Sequence, residues 1–308
     1  MRGFLIRRSA ALALGLVPAL LWADPKSPET YLVHPSSQTV QRRQAVLAVA
    51  QSGDPQAGTK LLEALSDKDP MTRTLAAQSL GTLKVVSSSA ALAHVLLTDP
   101  QEEVRQAAAV SLRQIEVPEA VGALGEALKD ASPNVRVAAL TGLARYKDAR
   151  TDPLIEAACK DQSVEVRRTA VFVLDRLEDR AAVPTLEQLM KNDPDSAVRA
   201  GAAQTLGGLR STESKEALRP LLKDPVKIVQ ISAGRSLMMF GDNSAFEMAK
   251  ALDTDPDLAV RLVAIDTLGW SKDPAAETEL QALLAQSPVN SVPAIQEALT
   301  RTRQLRKQ

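Results

Sequence analysis

The sequence predicts an all-α solenoid of about eight antiparallel helix pairs, and three observations predict it. One pattern, Asp … Val-Arg … Ala … Leu, returns along most of the chain, and its arginine column falls at 73, 105, 136, 167, 199 and 261, with Gln230 in the same register. The step is 31 or 32 residues every time, a period that marks one supersecondary unit stacked on copies of itself. Ala and Leu dominate the apolar residues while aromatics make up only 3%, so the core is built of thin side chains between closely packed helices. Each unit also divides into two stretches of helical periodicity about an Asp-Pro or Ser-Pro turn, the antiparallel helix pair of such a stack.

Taken in order, residues 1–23 read as a cleaved signal peptide. Arg2, Arg7 and Arg8 precede an apolar run from Ser9 to Leu21 that is too short for a comfortable membrane span, and Ala23 ends it with a small residue. Residues 24–37, rich in Pro, Ser and charge, read as a linker. Residues 38–308 form a single solenoid domain. Thr39 to Gln51 is a half-repeat that closes its N-terminal end, and eight helix pairs follow from Pro55. The last pair is Pro274 to Ala285 with Pro288 to about Arg306. Pro293 stands there in place of the arginine and the tail turns basic, as a polar cap over the last repeat requires.

With the motif arginine at offset zero on a helix of 100° per residue, offsets +3, +4, +7 and +10 share one face. They are predicted to form the core. The +10 column reads Leu83, Ile115, Tyr146, Leu177, Leu209, Phe240 and Ser271. The Asp and Arg columns, with Asp69 taken as the Asp of the first unit, recur once per repeat. That recurrence favours a structural role over an anion-binding ladder: each Asp caps its helix and bonds the arginine of its own or the adjacent repeat.

The chemistry-bearing residues are few. Omitting residues 1–23 and the basic tail 300–308, the body carries 30 basic against 37 acidic residues, which argues against a groove for nucleic acid, whose affinity comes from phosphate neutralisation. Cys159 is the single cysteine, so no internal disulfide forms, and its alignment with Leu128 and Leu222 makes it a core residue rather than a nucleophile. His34 and His94 stand alone, without a neighbour at metal-ligand spacing, and no glycine-rich phosphate loop occurs. Neither catalytic residues nor a cofactor or metal site is expected.

The Asp-Pro … Val-Arg … Ala … Leu units resemble the HEAT-repeat family over about residues 38–306, and the short repeats also found in phycobilisome lyase subunits look most similar. The resemblance implies an armadillo-type right-handed superhelix and a scaffold that holds another protein on its inner helix surface. It also leaves open a lyase-type activity, against which export of the chain argues, since that chemistry belongs with an intracellular partner. The di-iron hydroxylases of similar fold carry several His-Glu dyads, and this chain has none.

Offsets +5 and +9 point away from the Ala/Leu stripe and vary from repeat to repeat. They hold Arg145, Phe172, Arg176, Arg235, Met239 and Trp270, residue types enriched where proteins meet. These six are the expected partner-binding residues. The expected protein is a monomeric, non-catalytic, protein-binding scaffold of the bacterial periplasm or exterior, without nucleic acid and without a membrane span once the signal is cleaved. The other expectations are an accessory subunit of an envelope enzyme or transporter, or an enzyme whose polar residues converge across repeats.

Overall fold

A computed structural model describes residues 37–146, 150–286 and 290–307. The readings of 1–23 as a signal peptide and of 24–36 as a linker fall outside them, and Ser37 already begins the first helix. The chain divides after Gln41 into a short unit and a long one, Arg42–Gln308. Helix α1 (Ser37–Gln51) begins in the short unit and ends in the long one.

The long unit is a stack of eight helix pairs, and no strand occurs among the described residues. The first helices are α2 (Ala57–Ala64), α4 (Ser89–Thr98), α6 (Ala120–Ala127) and α8 (Asp152–Ala158), then α10 (Val183–Asn192), α12 (Lys215–Leu218), α14 (Phe246–Leu252) and α16 (Pro274–Gln286). Their second helices are α3 (Pro70–Thr82), α5 (Glu102–Ile115), α7 (Pro133–Leu143) and α9 (Val164–Leu177), then α11 (Ser196–Gly208), α13 (Lys227–Met239), α15 (Leu258–Leu268) and α17 (Val292–Leu305). The short α12 continues as a 3-10 stretch over Arg219–Lys223.

The predicted core columns are occupied as a stacked solenoid demands. Every +3 alanine, from Ala76 to Ala264, and every +7 leucine, from Leu80 to Leu268, is fully buried. The +10 column holds less well: Leu83 is 43% exposed, contrary to the expectation of a core leucine. It is the C-cap residue of α3, directly before Lys84, whose φ of 50° turns the chain out of the helix. The same left-handed turn at +11 recurs at Glu116, Glu178, Arg210 and Gly241, so these second helices end at one fixed point of the repeat.

Small residues set the spacing of the second helices. A Cβ added to Gly81 would lie 2.7 Å from the Ser111 backbone, and one added to Gly207 would lie 2.3 Å from the Ser236 hydroxyl. Ser111 and Ser236 use this closeness, each donating its hydroxyl to a carbonyl of the preceding second helix, Ala77 at 2.7 Å and Ala203 at 2.8 Å.

From Arg73 to Arg199 the Asp and Arg columns form a ladder along the inter-helix turns. Arg73, Arg105, Arg136, Arg167 and Arg199 each donate through Nε and Nη2 to both oxygens of the aspartate one repeat on: Asp99, Asp130, Asp161, Asp193 and Asp224. The Nη1 of each donates back to the carbonyl of its own repeat's Asp67, Asp99, Asp130, Asp161 or Asp193. Each arginine therefore ties two successive turns together, the bidentate arrangement that the planar guanidinium suits best. Arg42 starts the series by donating to Asp67 at 2.8 Å.

Two details of the expected pattern change. The first column aspartate is Asp67, not Asp69; Asp69 is the N-cap of α3, bonding Thr72 N–H at 2.9 Å, and it also pairs with Arg43. The column aspartates do not cap their helices directly. Each instead accepts the backbone N–H two residues on, as Asp130 does from Ser132 at 2.8 Å and Asp161 from Ser163 at 2.7 Å, an Asx turn that sets the entry to the helix. Burial opposes ionisation at Asp99, Asp130, Asp161 and Asp224. The guanidinium and the backbone N–H outweigh it and hold all four carboxyls below their ordinary value.

Candidate protein-binding surface

With the arginine column locked into turns and the Ala/Leu columns buried, the varied positions of the second helices are the expected recognition surface. Five of the six expected residues fall into two groups, and Met239 belongs to neither. Arg145, Phe172 and Arg176 come together in a groove of about 460 Å³. Thr141, Ala144 and Arg145 line it at the C-terminal end of α7, Phe172, Val173, Arg176 and Leu177 line it from α9, and Arg113 reaches it from α5. Phe172 is 57% exposed, and Arg176 sits over its ring at 5.9 Å, a cation–π contact that holds the guanidinium in place. Arg145 pairs with Glu116 at the rim, while among the described residues neither Arg113 nor Arg176 has an ion-pair partner.

Arg235 and Trp270 belong to a different arrangement. Asp266 accepts from Arg235 on one side and from Arg301 of the last helix on the other. Trp270 lies against the same two guanidinium groups, 4.6 Å from Arg301 and 6.0 Å from Arg235. Burial works against the Asp266 carboxylate, but the two arginines keep its pKa below the ordinary value. This cluster closes on itself: Trp270 is half-buried and its ring N–H is enclosed without an acceptor. A second groove of about 520 Å³ between α11, α13 and α15 has Arg235 and Asp266 along its side, already paired with each other. Met239, half-buried at the end of α13, lines neither groove. The expected continuous surface from Arg145 to Trp270 is thus one open groove and one cluster whose charges pair with each other.

Two contributors went unnoticed in the sequence. Arg113 stands at offset +8, about 100° around the helix from the +9 column, and enters the groove only because α5 lies beside α7. Arg301 belongs to the capping helix, which lacks the motif arginine and so has no offset to read.

Cys159 is 1% exposed and burial pushes its thiol up to about 12, so it is held as the un-ionised thiol. It lies beside a cleft of about 540 Å³ in which Asp161, Arg167 and Asp193 are spent on the ladder and Lys160 completes the charged lining. Among the described residues no group of three or more His, Cys, Asp or Glu side chains is placed to hold a metal ion, and no helix is long and apolar enough to cross a membrane.

A stack of two-helix units with its variable positions on the second helices is the architecture of an α-solenoid repeat protein. The family model for HEAT repeats matches residues 28–113, 89–161, 151–238 and 218–300, and the chain belongs to the HEAT-repeat family. Among solved structures it is similar to YibA of Escherichia coli, at 22% identity and a TM-score of 0.61, over 87% of this chain and 97% of that one. It is also similar to the structure of Kap95p with RanGDP, at 17% identity and a TM-score of 0.52, over 86% of this chain and 42% of that one. The likeness to the CpcE–CpcF complex of phycocyanin lyase from Nostoc, at 20% identity over 82% of this chain and 97% of that one, has a TM-score of only 0.36. At these identities the likenesses show the fold alone. No curated protein matches the chain.

Proposed function

We propose that this HEAT-repeat chain is a non-catalytic scaffold, exported to the bacterial envelope by residues 1–23, that holds a protein partner on the face formed by its second helices. The observation that carries this reading is the exposed Phe172 with Arg176 laid over it, set in a groove where neighbouring repeats contribute unpaired arginines. A protein that repeats its core and ladder columns so regularly has no structural need for a largely exposed phenylalanine, and aromatic and arginine side chains are the residues that dominate binding energy at interfaces. Export rests on the basic start and the short apolar run of the N-terminus.

The test is a cross-linked pull-down from envelope extract with the chain beginning at Asp24, beside the Phe172→Ala and Arg176→Ala variants. A partner retained by the wild type and lost by both variants, with helicity unchanged, supports the reading. The same proteins recovered with all three baits would remove the second-helix face as the site. Recovery of one partner in fixed stoichiometry specifies the role further, to an accessory subunit of an envelope assembly.

A further inference from the structure

We infer that the Arg113/Arg145/Arg176 groove takes an extended acidic segment of a partner protein, with carboxylates on Arg113 and Arg176 and an apolar side chain on Phe172. The inference rests on the scaffold reading and specifies its occupant by charge. Three arginines line the groove and no acid does, among the described residues; the adjacent Glu116 is engaged with Arg145. The protein's own acids leave Arg113 and Arg176 unpaired, although the body of the chain has an excess of acidic residues. Most other cations of the second helices are matched: the ladder arginines from Arg73 to Arg199 by aspartates, Arg168 by Asp195, Lys227 by Asp255, Arg235 and Arg301 by Asp266; Arg261 is bonded to the Asp255 carbonyl and to Ser291.

The geometry sets the length of the segment. Helices packed side by side lie about 8–10 Å apart, so the span from α5 across α7 to α9 is about 20 Å. An extended chain rises about 3.3 Å per residue, which places the two carboxylates about six residues apart. Arg176, 5.9 Å from the centre of the Phe172 ring and without an ion-pair partner among the described residues, keeps guanidinium N–H groups for hydrogen bonds to a carboxylate. The exposed ring face then covers an apolar neighbour of that carboxylate. A nucleic-acid backbone is disfavoured, because three arginines in one groove of an acidic body give a short patch and not a track for successive phosphates.

The experiment is fluorescence anisotropy on the chain from Asp24, with a labelled peptide of about ten residues carrying two Glu about six positions apart and Leu beside the second. The same peptide with Gln at both positions and an oligothymidylate of equal length are the competitors. The wild type is expected to bind the Glu peptide at least tenfold more tightly than the Gln peptide, with affinity falling as salt rises. Arg113→Gln and Arg176→Gln are each expected to weaken binding about tenfold, as loss of a charge-assisted pair does, while Arg180→Gln, on a first-helix turn, leaves it unchanged. Equal affinity for the Glu and Gln peptides, indifference to both groove variants, or tighter binding of the oligothymidylate would each overturn the inference. If the pull-down partner is still lost on Phe172→Ala while the Glu peptide fails, the scaffold reading stands and only the acidic occupant is lost.

Discussion

The first five repeats and the last three solve the same problem differently. From Arg73 to Arg199 every inter-repeat step carries a bidentate arginine–aspartate pair whose side chains are all less than 15% exposed. At the sixth repeat Gln230 replaces the arginine and reaches only its own Asp224 carbonyl, at 2.6 Å. Asp255 is left to the half-exposed Lys227. At the seventh repeat Arg261 still bonds the Asp255 carbonyl, but ahead of it stands a serine, Ser291, at 3.4 Å. The C-terminal repeats compensate on another face, with Arg235 and Arg301 gathered on Asp266 and Trp270. A ladder works only while each rung has its aspartate; once one column lapses, the last repeats depend on local clusters that do not propagate.

That contrast is sharpest at Arg136, the most buried rung at 5% exposed. Arg136→Ala strands the Asp161 carboxylate and two turn carbonyls and is expected to destabilise by about 3 kcal/mol, read as a lower denaturant midpoint with the Glu-peptide affinity unchanged. An undiminished midpoint would make the ladder decorative.

The acidic side of the comparison is a difference of sign. The ladder carboxyls titrate below their ordinary value, so the stability they contribute is complete above about pH 4 and is lost as pH falls through their depressed values. Asp253, at the end of α14, is 3% exposed with one oxygen unpartnered, and burial together with the nearby Glu279 pushes it up to about 6. The folded state holds that proton more tightly than the unfolded one, so stability is lost as pH rises from about 4 to about 6. Asp253→Asn is expected to stabilise the protein at pH 7 by about 1–2 kcal/mol and to flatten that part of the pH profile. Equal pH profiles for variant and wild type would show that Asp253 does not titrate in this range.

Restoring the broken rung gives a smaller effect in the same region. Gln230→Arg places a guanidinium between the Asp224 carbonyl and the Asp255 carboxylate and is expected to stabilise by about 1 kcal/mol. Hydrogen exchange is expected to slow most in α13 and α15. Slowing spread evenly over all repeats would show that the C-terminal repeats are not the weaker part. Smallest of all, Arg303→Ala removes an exposed pair with Glu277, which Arg306 also holds. It is expected to change stability by less than about 0.5 kcal/mol, and a larger loss would make the terminal ion pairs part of the cap.

The sequence by itself determined the period, the pairing of helices, the buried alanine and leucine columns and the structural role of the arginines, because each is a local or once-per-repeat constraint that every unit must satisfy. What only the tertiary structure decided are relations between repeats. A repeat offset does not say that Arg145 finds Glu116, that Arg113 on α5 joins Phe172 on α9, or that Arg301 of the capping helix folds over Trp270. Leu83 makes the same point: it is 43% exposed, while Ile115 and Leu209, at the same offset and before the same left-handed turn, are buried. Periodicity fixes which way a side chain points from its own helix; which groups it meets there depends on the neighbouring repeats, whose exposed positions are free to differ.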